Sequence, residues 1–462
     1  MTTYSYDRTV YESEAGDILM ALTGESLITR PVSMYREPTF TSLVDMIRGA
    51  DLAFTHAEML FHDFEPSPAY ISGGTYMRSD PQNIAELQWM GFDLVSTACN
   101  HSFDYGEGGV LKNIENLKRF NMPFAGTGHN LAEARGPVYV ETPKGRVALL
   151  SATTSGPPPG RAGDQRRDVR GRPGSNFIRH TTEYVVDKPT FDALKRVSEG
   201  LNFEQAKAHR RAGGFGAPLP PDTDTEFYLF GLFQMYEMQQ WVKFRLGDHF
   251  ERHSYPNQAD LDGWLQRVRD ARGMAQWVIC TMHNHESGAS EDEPSEAVQT
   301  IMKACIDAGA DVFVGHGPHQ DRGIEIYNGK PIFYALGDFF LENDTVLLQP
   351  QDNYLGQGLS WEHTPEQFFN TRSANETRGQ TVQPKRWQSA LAMTKWNAGG
   401  EFAEIRLHPV DLGFGKPRHQ RGRPVLAQGD SAKEILDRFE RLSALYGTKM
   451  TREGNVGLIK AQ

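Results

Sequence analysis

The stretch Asp311-Val312-Phe313-Val314-Gly315-His316-Gly317-Pro318-His319 constrains this chain more than any other. It begins as the apolar run of a buried strand, then breaks at Gly315 into a turn that carries two histidines. Four more strand-like runs end in ligand-type side chains. Leu19 to Leu22 leads to Gly24-Glu25, and Asp51 to Phe54 leads to His56-Ala57-Glu58. Phe92 to Thr97 leads to Asn100-His101 and Asp104, and Trp277 to Met282 leads to His283-Asn284-His285-Glu286. Open α/β sheets bind ligands where strands deliver their carboxyl ends. Five strands ending in Glu, His and Asn therefore predict one metal centre assembled from distant pieces of sequence.

Composition narrows what could surround such a centre. The 462 residues are 39% hydrophobic and 23% charged, values of a globular protein with room for a large core. The formal charge of −11 argues against general nucleic-acid binding and against an anionic membrane surface. Cys99, Cys280 and Cys305 are odd in number and widely spaced, so they are expected as reduced, buried residues. The N-terminus shows no basic start with an apolar segment, and no run reaches the roughly 18 apolar residues of a membrane span. A cytoplasmic location is the expectation, and a homo-oligomer is compatible with the sequence.

Along the chain, residues 1–16 are polar and expected as a surface lead-in. Strands are predicted at Ile18–Leu22, from Ala53, before Asn100, at Val147–Ser151, at Ile332–Leu336 and at Glu401–Leu407. Helices are predicted at Thr39–Arg48, Pro81–Met90, Gly108–Phe120, Phe191–Ala208, Ala259–Ala271, Glu296–Ala308 and Ala432–Tyr446. The β-α-β alternation by itself predicts a mostly parallel, layered α/β sheet. It is interrupted over about residues 155–272, expected as a helical and loop insertion in the sheet domain. The aromatic run Tyr228–Phe244 is expected as core of that insertion. Residues 341–390 are polar and loop-like, within a 341–462 extension expected to pack on the 17–340 domain.

His283 and His285 stand two apart on a strand end and so point the same way. His316 and His319 share one tight turn. Any one of these is more often a structural histidine than a ligand; two such pairs at strand ends favour metal. With them, Glu25, His56, Glu58 and Asn100 complete the predicted ligand set, the carboxylates balancing a divalent ion. Asn100-His101 offers an amide oxygen to the metal and an imidazole as general acid; the bland alternative is a turn that caps the next helix. Asp104 is expected as that cap or as a partner orienting His101. The catalytic set is His101, Asp104 and His285. The loop after Gly156 carries Arg161, Arg166, Arg167, Arg170, Arg172 and Arg179. It is either solvated or an anion site, with Arg172 and Arg179 as the substrate-binding candidates.

The motif order resembles the bacterial capsule-synthesis CapA family of poly-γ-glutamate synthesis proteins, in the calcineurin-like metallophosphoesterase superfamily. The matching pieces are Leu22-Thr23-Gly24-Glu25, Ala50-Asp51-Leu52 with Glu58, the block from Ser96 to Gly106, Ala125-Gly126-Thr127-Gly128, Arg172-Pro173-Gly174, Gly315 to His319, and Gly323 to Phe339. The resemblance implies a two-sheet β-sandwich flanked by helices, with the metal at the strand ends, in place of a plain doubly wound sheet. Departures stand at the ligand positions: Gly24-Glu25 where the family has Gly-Asp, His56-Ala57-Glu58 where it has Asn-Leu-Glu, and His283-Asn284-His285 where it has His-Trp-Gly. The superfamily's Asp-x-His on the first strand is absent.

A metal-dependent hydrolase follows, with one or two manganese, iron or zinc ions activating a water. Its substrate would be an amide of an acidic glutamyl peptide or polymer, or a phosphoester. The alternatives are a metal-dependent epimerase or isomerase on the same site, and a non-catalytic accessory protein of poly-γ-glutamate synthesis.

Overall fold

The computed structural model describes residues 17–213, 219–230 and 241–461. The expected lead-in at 1–16 and the middle of the aromatic run Tyr228–Phe244 lie outside the described residues. The chain divides into two compact units: Met1–Ile178 with Ala259–Pro294 and Ile301–Gln462, and Arg179–Gln258 with Ser295–Thr300.

The first unit is a two-sheet sandwich. The chain lays down β1 (Ile18–Leu27), β2 (Leu52–Ala57) and β3 (Leu94–Ser96) side by side in parallel in one sheet. It then builds β4 (Gly145–Thr153), β5 (Trp277–His283), β6 (Val312–His316) and β7 (Lys330–Phe333) in a second sheet. It returns to the first sheet with β8 (Asp338–Leu341), β9 (Gln388–Trp396) and β10 (Phe402–Asp411). The crossing of β1 by antiparallel β9 separates this sheet from the all-parallel arrangement that alternation alone predicts.

The side-chain period of two explains the layering. Ile18, Met20 and Leu22 of β1 meet Val147 and Leu149 of β4 and Val312 and Val314 of β6 in the core between the sheets. Ala21, Ala53 and Val95 on the opposite face pack under Phe40, Leu43, Ile84 and Leu87 of two helices, Pro38–Arg48 and Asn83–Met90. On the far side of the second sheet, Trp264 of helix Gln258–Arg272 meets Phe313 edge-on with ring centroids 6.2 Å apart. Both faces of the inner strands are thus buried, which is why they read as continuous apolar runs. Cys99, Cys280 and Cys305 are buried thiols, as expected.

The second unit has its own four-stranded sheet, in the order Glu226–Phe230, Trp241–Leu246, His180–Val186, Glu251–Pro256. Its core gathers Val186, Phe191, Phe227 and Leu229. Lys207 is buried there, its ammonium 2.7 Å from Glu204 and 2.8 Å from Asp222.

Several expectations need correction. The helix predicted over Phe191–Ala208 is two helices, Lys188–Gly200 and Phe203–Gly213, because Asn202 turns into the left-handed region at φ 58°. Residues 341–390, expected as loop, hold helices Gln351–Gly356 and Pro365–Arg372, the latter closed at its start by a Thr364–Gln367 capping box. The first strand runs on past Leu22 to Leu27, with its register shifted between Leu22 and Glu25.

That irregularity places Gly24 against the turn preceding β8, where Glu25 N–H donates to the Gly337 carbonyl at 3.1 Å. A Cβ at Gly24 would lie 1.7 Å from the Gly337 oxygen, and two backbones must part to admit it. Gly24→Ala is therefore expected to cost about 3 kcal/mol or more. A urea midpoint unchanged from wild type would refute this close packing.

Candidate metal centre

The strand registers bring the predicted residues to one level. Glu25 pairs with His56 across β1 and β2 and with Asp338 across β1 and β8, and His283 pairs with His316 across β5 and β6. The two sheets thus present their strand ends to a single buried spot. Three donor groups there could hold a metal ion: Glu25, His56 and His283; Glu58, His283 and His285; Glu25, Glu58, His319 and Asp338.

Distances within the cluster have a characteristic spread. His283 Nδ1 lies 3.1 Å from Glu25 Oε1, and His319 Nδ1 lies 3.2 Å from Glu25 Oε2. Glu58 Oε1 lies 3.8 Å from the Nε2 atoms of His101, His283 and His319. A separation of 3.8 Å is too long for a hydrogen bond. Donors that each sit about 2.1 Å from a shared ion are about 3.4 Å apart in a tetrahedral site, so the spacing fits donors around an ion.

Unsatisfied atoms support the same fit. Both oxygens of Glu25 and of Glu58, His56 Nε2, Asn100 Oδ1, His283 Nδ1, both nitrogens of His316 and Asp338 Oδ2 are buried without a well-formed hydrogen bond. Buried polar atoms are almost always paired, so this many together in one place mark a ligand position. The residues present therefore fit a divalent ion.

Neighbouring groups orient the donors. His56 Nδ1 is 2.7 Å from Ser96 Oγ, which leaves Nε2 directed inward, and the ring stacks on His316 with centroids 4.5 Å apart. Asn284 donates its amide to the His316 carbonyl at 3.0 Å, and the buried Arg322 guanidinium donates to Asn284 Oδ1 at 3.3 Å. Arg322 thereby ties the turn after β5 to the turn after β6. Gly317 at φ 117° lets that second turn lie against Asn284, where a Cβ would come within 1.9 Å of the Asn284 oxygen. His319 itself takes a left-handed conformation, φ 51°, with Nδ1 2.9 Å from Asp338 Oδ1. Positive φ is uncommon outside glycine, though histidine is among the residues that reach it, and here the Asp338 contact accompanies it.

Electrostatics follow from three buried carboxylates beside several imidazoles. Burial keeps His56 well below its ordinary value and His316 down at about 3, so both stay neutral donors. Burial pushes Glu58 well above the carboxylate range, reinforced by Glu25. It pushes Asp338 up to about 7 against the pull of His319. Burial also opposes charge on His319, yet Asp338, Glu58 and Glu25 together hold it well above its ordinary value. Without an ion, Glu58 and His319 are both biased toward their protonated forms, and a metal must displace such protons. Metal loading at pH 7 is accordingly expected to release protons, up to about two from this pair. Affinity should rise with pH until those groups have lost their protons. Calorimetric titration in buffers of different ionisation enthalpy checks this, and buffer-independent heats would refute it.

His101 stands at the edge of the cluster. Its Nδ1 donates to Asp104 Oδ2 at 2.7 Å, and Asp104 also accepts from Gly73 N–H at 3.0 Å and Met77 N–H at 2.8 Å. Asp104 is thus the partner that fixes His101, while Tyr105 occupies the N-cap of helix Gly106–Arg119. His101, Asn100, His285 and His319 line a cavity of about 190 Å³ together with Arg372 and Gln380.

The predicted set is largely brought together. Glu25, His56, Glu58, His283 and His319 fall in the donor groups, and His285, expected in the catalytic set, joins one of them. His316 and Asn100 lie beside these groups but in none of the three. Asp338 was missed, although Gly337-Asp338 repeats the glycine-carboxylate pattern of Gly24-Glu25. Arg172 is exposed, donates to the Arg161 carbonyl at 3.0 Å and is not among the residues lining the cavity. Arg179 opens the second unit. Arg166 pairs with Asp168 on the surface.

Comparison with known proteins decides the family. Residues 13–343 match the model of the bacterial capsule synthesis protein PGA_cap. The chain belongs to the PGA_cap family. The y4sH protein of Sinorhizobium fredii is 32% identical over 454 residues, covering 96% of this chain and 92% of its own. The PGA biosynthesis protein CapA of Bacillus subtilis is 22% identical over 322 residues, 65% of this chain and 61% of its own. A Mycobacterium tuberculosis protein named for an accessory role in polyglutamine synthesis is 61% identical over 61 residues, 13% of this chain and 16% of its own. The PGA_cap match ends just after β8, so every donor of the cluster falls inside it, whereas Arg372 and Gln380 fall outside. Among the described residues no helix is long and apolar enough to cross a membrane.

Proposed function

We propose that this PGA_cap protein is a metal-dependent hydrolase of an amide bond in an acidic, glutamyl peptide or polymer. A phosphoester is the second substrate class, by superfamily analogy. The observation that carries the reading is the convergence of unsatisfied, buried carboxylate and imidazole donors directly beside the Asp104-oriented His101.

Glu25, His56, Glu58, Asn100, His283, His319 and Asp338 would hold the ion or ions, with His316 packed behind His56. When bound, a divalent ion supplies an acidified water and polarises the scissile group. The remaining work belongs to the chain. His101 keeps Nε2 toward the cluster because Nδ1 is committed to Asp104, and it passes a proton to the leaving amine. His285, at the exposed mouth 3.1 Å from His283, contacts whatever enters the cavity. The anionic character expected of the substrate requires cationic side chains in the cavity wall.

The test is elemental analysis of the purified protein followed by a screen of γ-glutamyl peptides and aryl phosphates with the ion found. Cleavage of a γ-glutamyl amide, lost on chelation and restored by the ion, is the expected result. Stoichiometric metal with neither substrate class cleaved would overturn it. A non-catalytic role in polymer synthesis is the second reading, favoured by the accessory role in the name of the Mycobacterium relative. It requires polymer binding that survives metal removal.

A further inference from the structure

The cavity over the donor cluster is bounded on one side by Arg372, at the end of helix Pro365–Arg372. This side chain is half-buried, and among the described residues its guanidinium donates one hydrogen bond, to the Thr75 hydroxyl. Among the described residues no carboxylate lies within ion-pair distance of it. A guanidinium withdrawn from water without a counter-charge is costly unless an anion visits it.

A second cavity, of about 240 Å³, adjoins the first. Asn343, Arg372 and Gln380 line both. The guanidiniums of Arg418 and Arg421 also line the second cavity but are already neutralised by Asp344 and Glu376. Arg372 therefore stands on the common wall without a direct ion pair, with Asp344 acting on it only at longer range, and it shares the first cavity with His101, His285 and His319. A planar fork of donors suits a carboxylate.

We propose that Arg372 binds a carboxylate of the substrate next to the bond held at the donor cluster, so that the acidic chain continues into the second cavity. This rests on the amide-hydrolase reading for the identity of the substrate, and it adds the residue that selects an acidic one. Because Arg372 lies beyond the segment shared with the family model, this selectivity would be a property of the chain's own C-terminal part.

Calorimetry of the metal-loaded full chain with tri-γ-glutamate, its uncharged N-acetyl tetra-amide and inorganic phosphate tests it. Wild type is expected to bind the tripeptide, and Arg372→Gln to bind it at least about tenfold more weakly with unchanged metal content. Arg372→Lys should fall between them, and the tetra-amide should bind wild type and Arg372→Gln equally weakly. Gln380→Glu keeps an acceptor for Asn343, which donates to Gln380 Oε1 at 3.0 Å. It adds negative charge to the same wall and should weaken the tripeptide as well, even if Arg372→Gln fails to fold. Equal tripeptide affinity in wild type and Gln380→Glu, or in wild type and folded Arg372→Gln, would overturn the assignment. So would Arg372-dependent binding of phosphate without binding of the tripeptide, or no binding of either probe. Tripeptide that binds through Arg372 but is never cleaved would sink the hydrolase reading and leave this one standing.

Discussion

His283→Ala is expected to yield a folded protein that retains no stoichiometric metal and turns over at background. His283 belongs to two of the three donor groups and touches both carboxylates that would carry the ion's charge, Glu25 at 3.1 Å and Glu58 at 3.8 Å. Its removal leaves Glu25 with only His56 and His319 as imidazole neighbours in its donor groups. Changing an outer-shell partner typically costs about 10- to 100-fold in metal affinity, and loss of a direct donor should exceed that. Elemental analysis after gel filtration, beside a thermal melt, checks it. Full metal content in the variant would remove His283 from the site.

His101→Ala separates chemistry from metal binding. The imidazole lies 3.8 Å from Glu58 but is committed through Nδ1 to Asp104, and it belongs to none of the donor groups. Metal content should therefore stay at the wild-type level while kcat falls by about 10²- to 10⁴-fold, the range for loss of a positioned general acid. The loss should shrink for a γ-glutamyl 4-nitrophenyl ester, whose phenolate leaves without a proton. An equal loss on both substrates would make His101 a structural residue. Loss of metal would make it a ligand.

Much of this site could be read from strand ends, because a donor that follows an apolar run carries a local signal. Glu58, His283 and His319 were legible in that way. Asp338 was not, because Ile332–Leu336 looks like the strand, whereas β8 begins only at Asp338 and is aligned by its pairing with Glu25. Arg372 sits in a polar stretch with no period, and its importance comes only from the approach of that stretch to the cavity. Arg172, chosen for its place among other arginines in sequence, is exposed and does not line the cavity, because neighbourhood in sequence says nothing about which arginine turns inward. Strand β9 was hidden too, since Gln388–Trp396 straddles the edge of a region whose composition reads as loop. The sandwich itself was visible through the resemblance and not through alternation. The reason is physical: antiparallel β9 and β10 enter late in the chain and leave no mark on the β-α-β rhythm before them.

The donors run from Glu25 to Asp338, and β1 lies between β2 (Leu52–Ala57), laid down early, and β8, which begins only at Asp338. A chain emerging from the ribosome can form the β1–β2 pair long before Asp338 exists. Two of the three donor groups are complete once His285 has been made, whereas the group of Glu25, Glu58, His319 and Asp338 waits for β8. A product terminated before β5 would carry Glu25 and Glu58, the acidic half of the site, without the histidines that complete it.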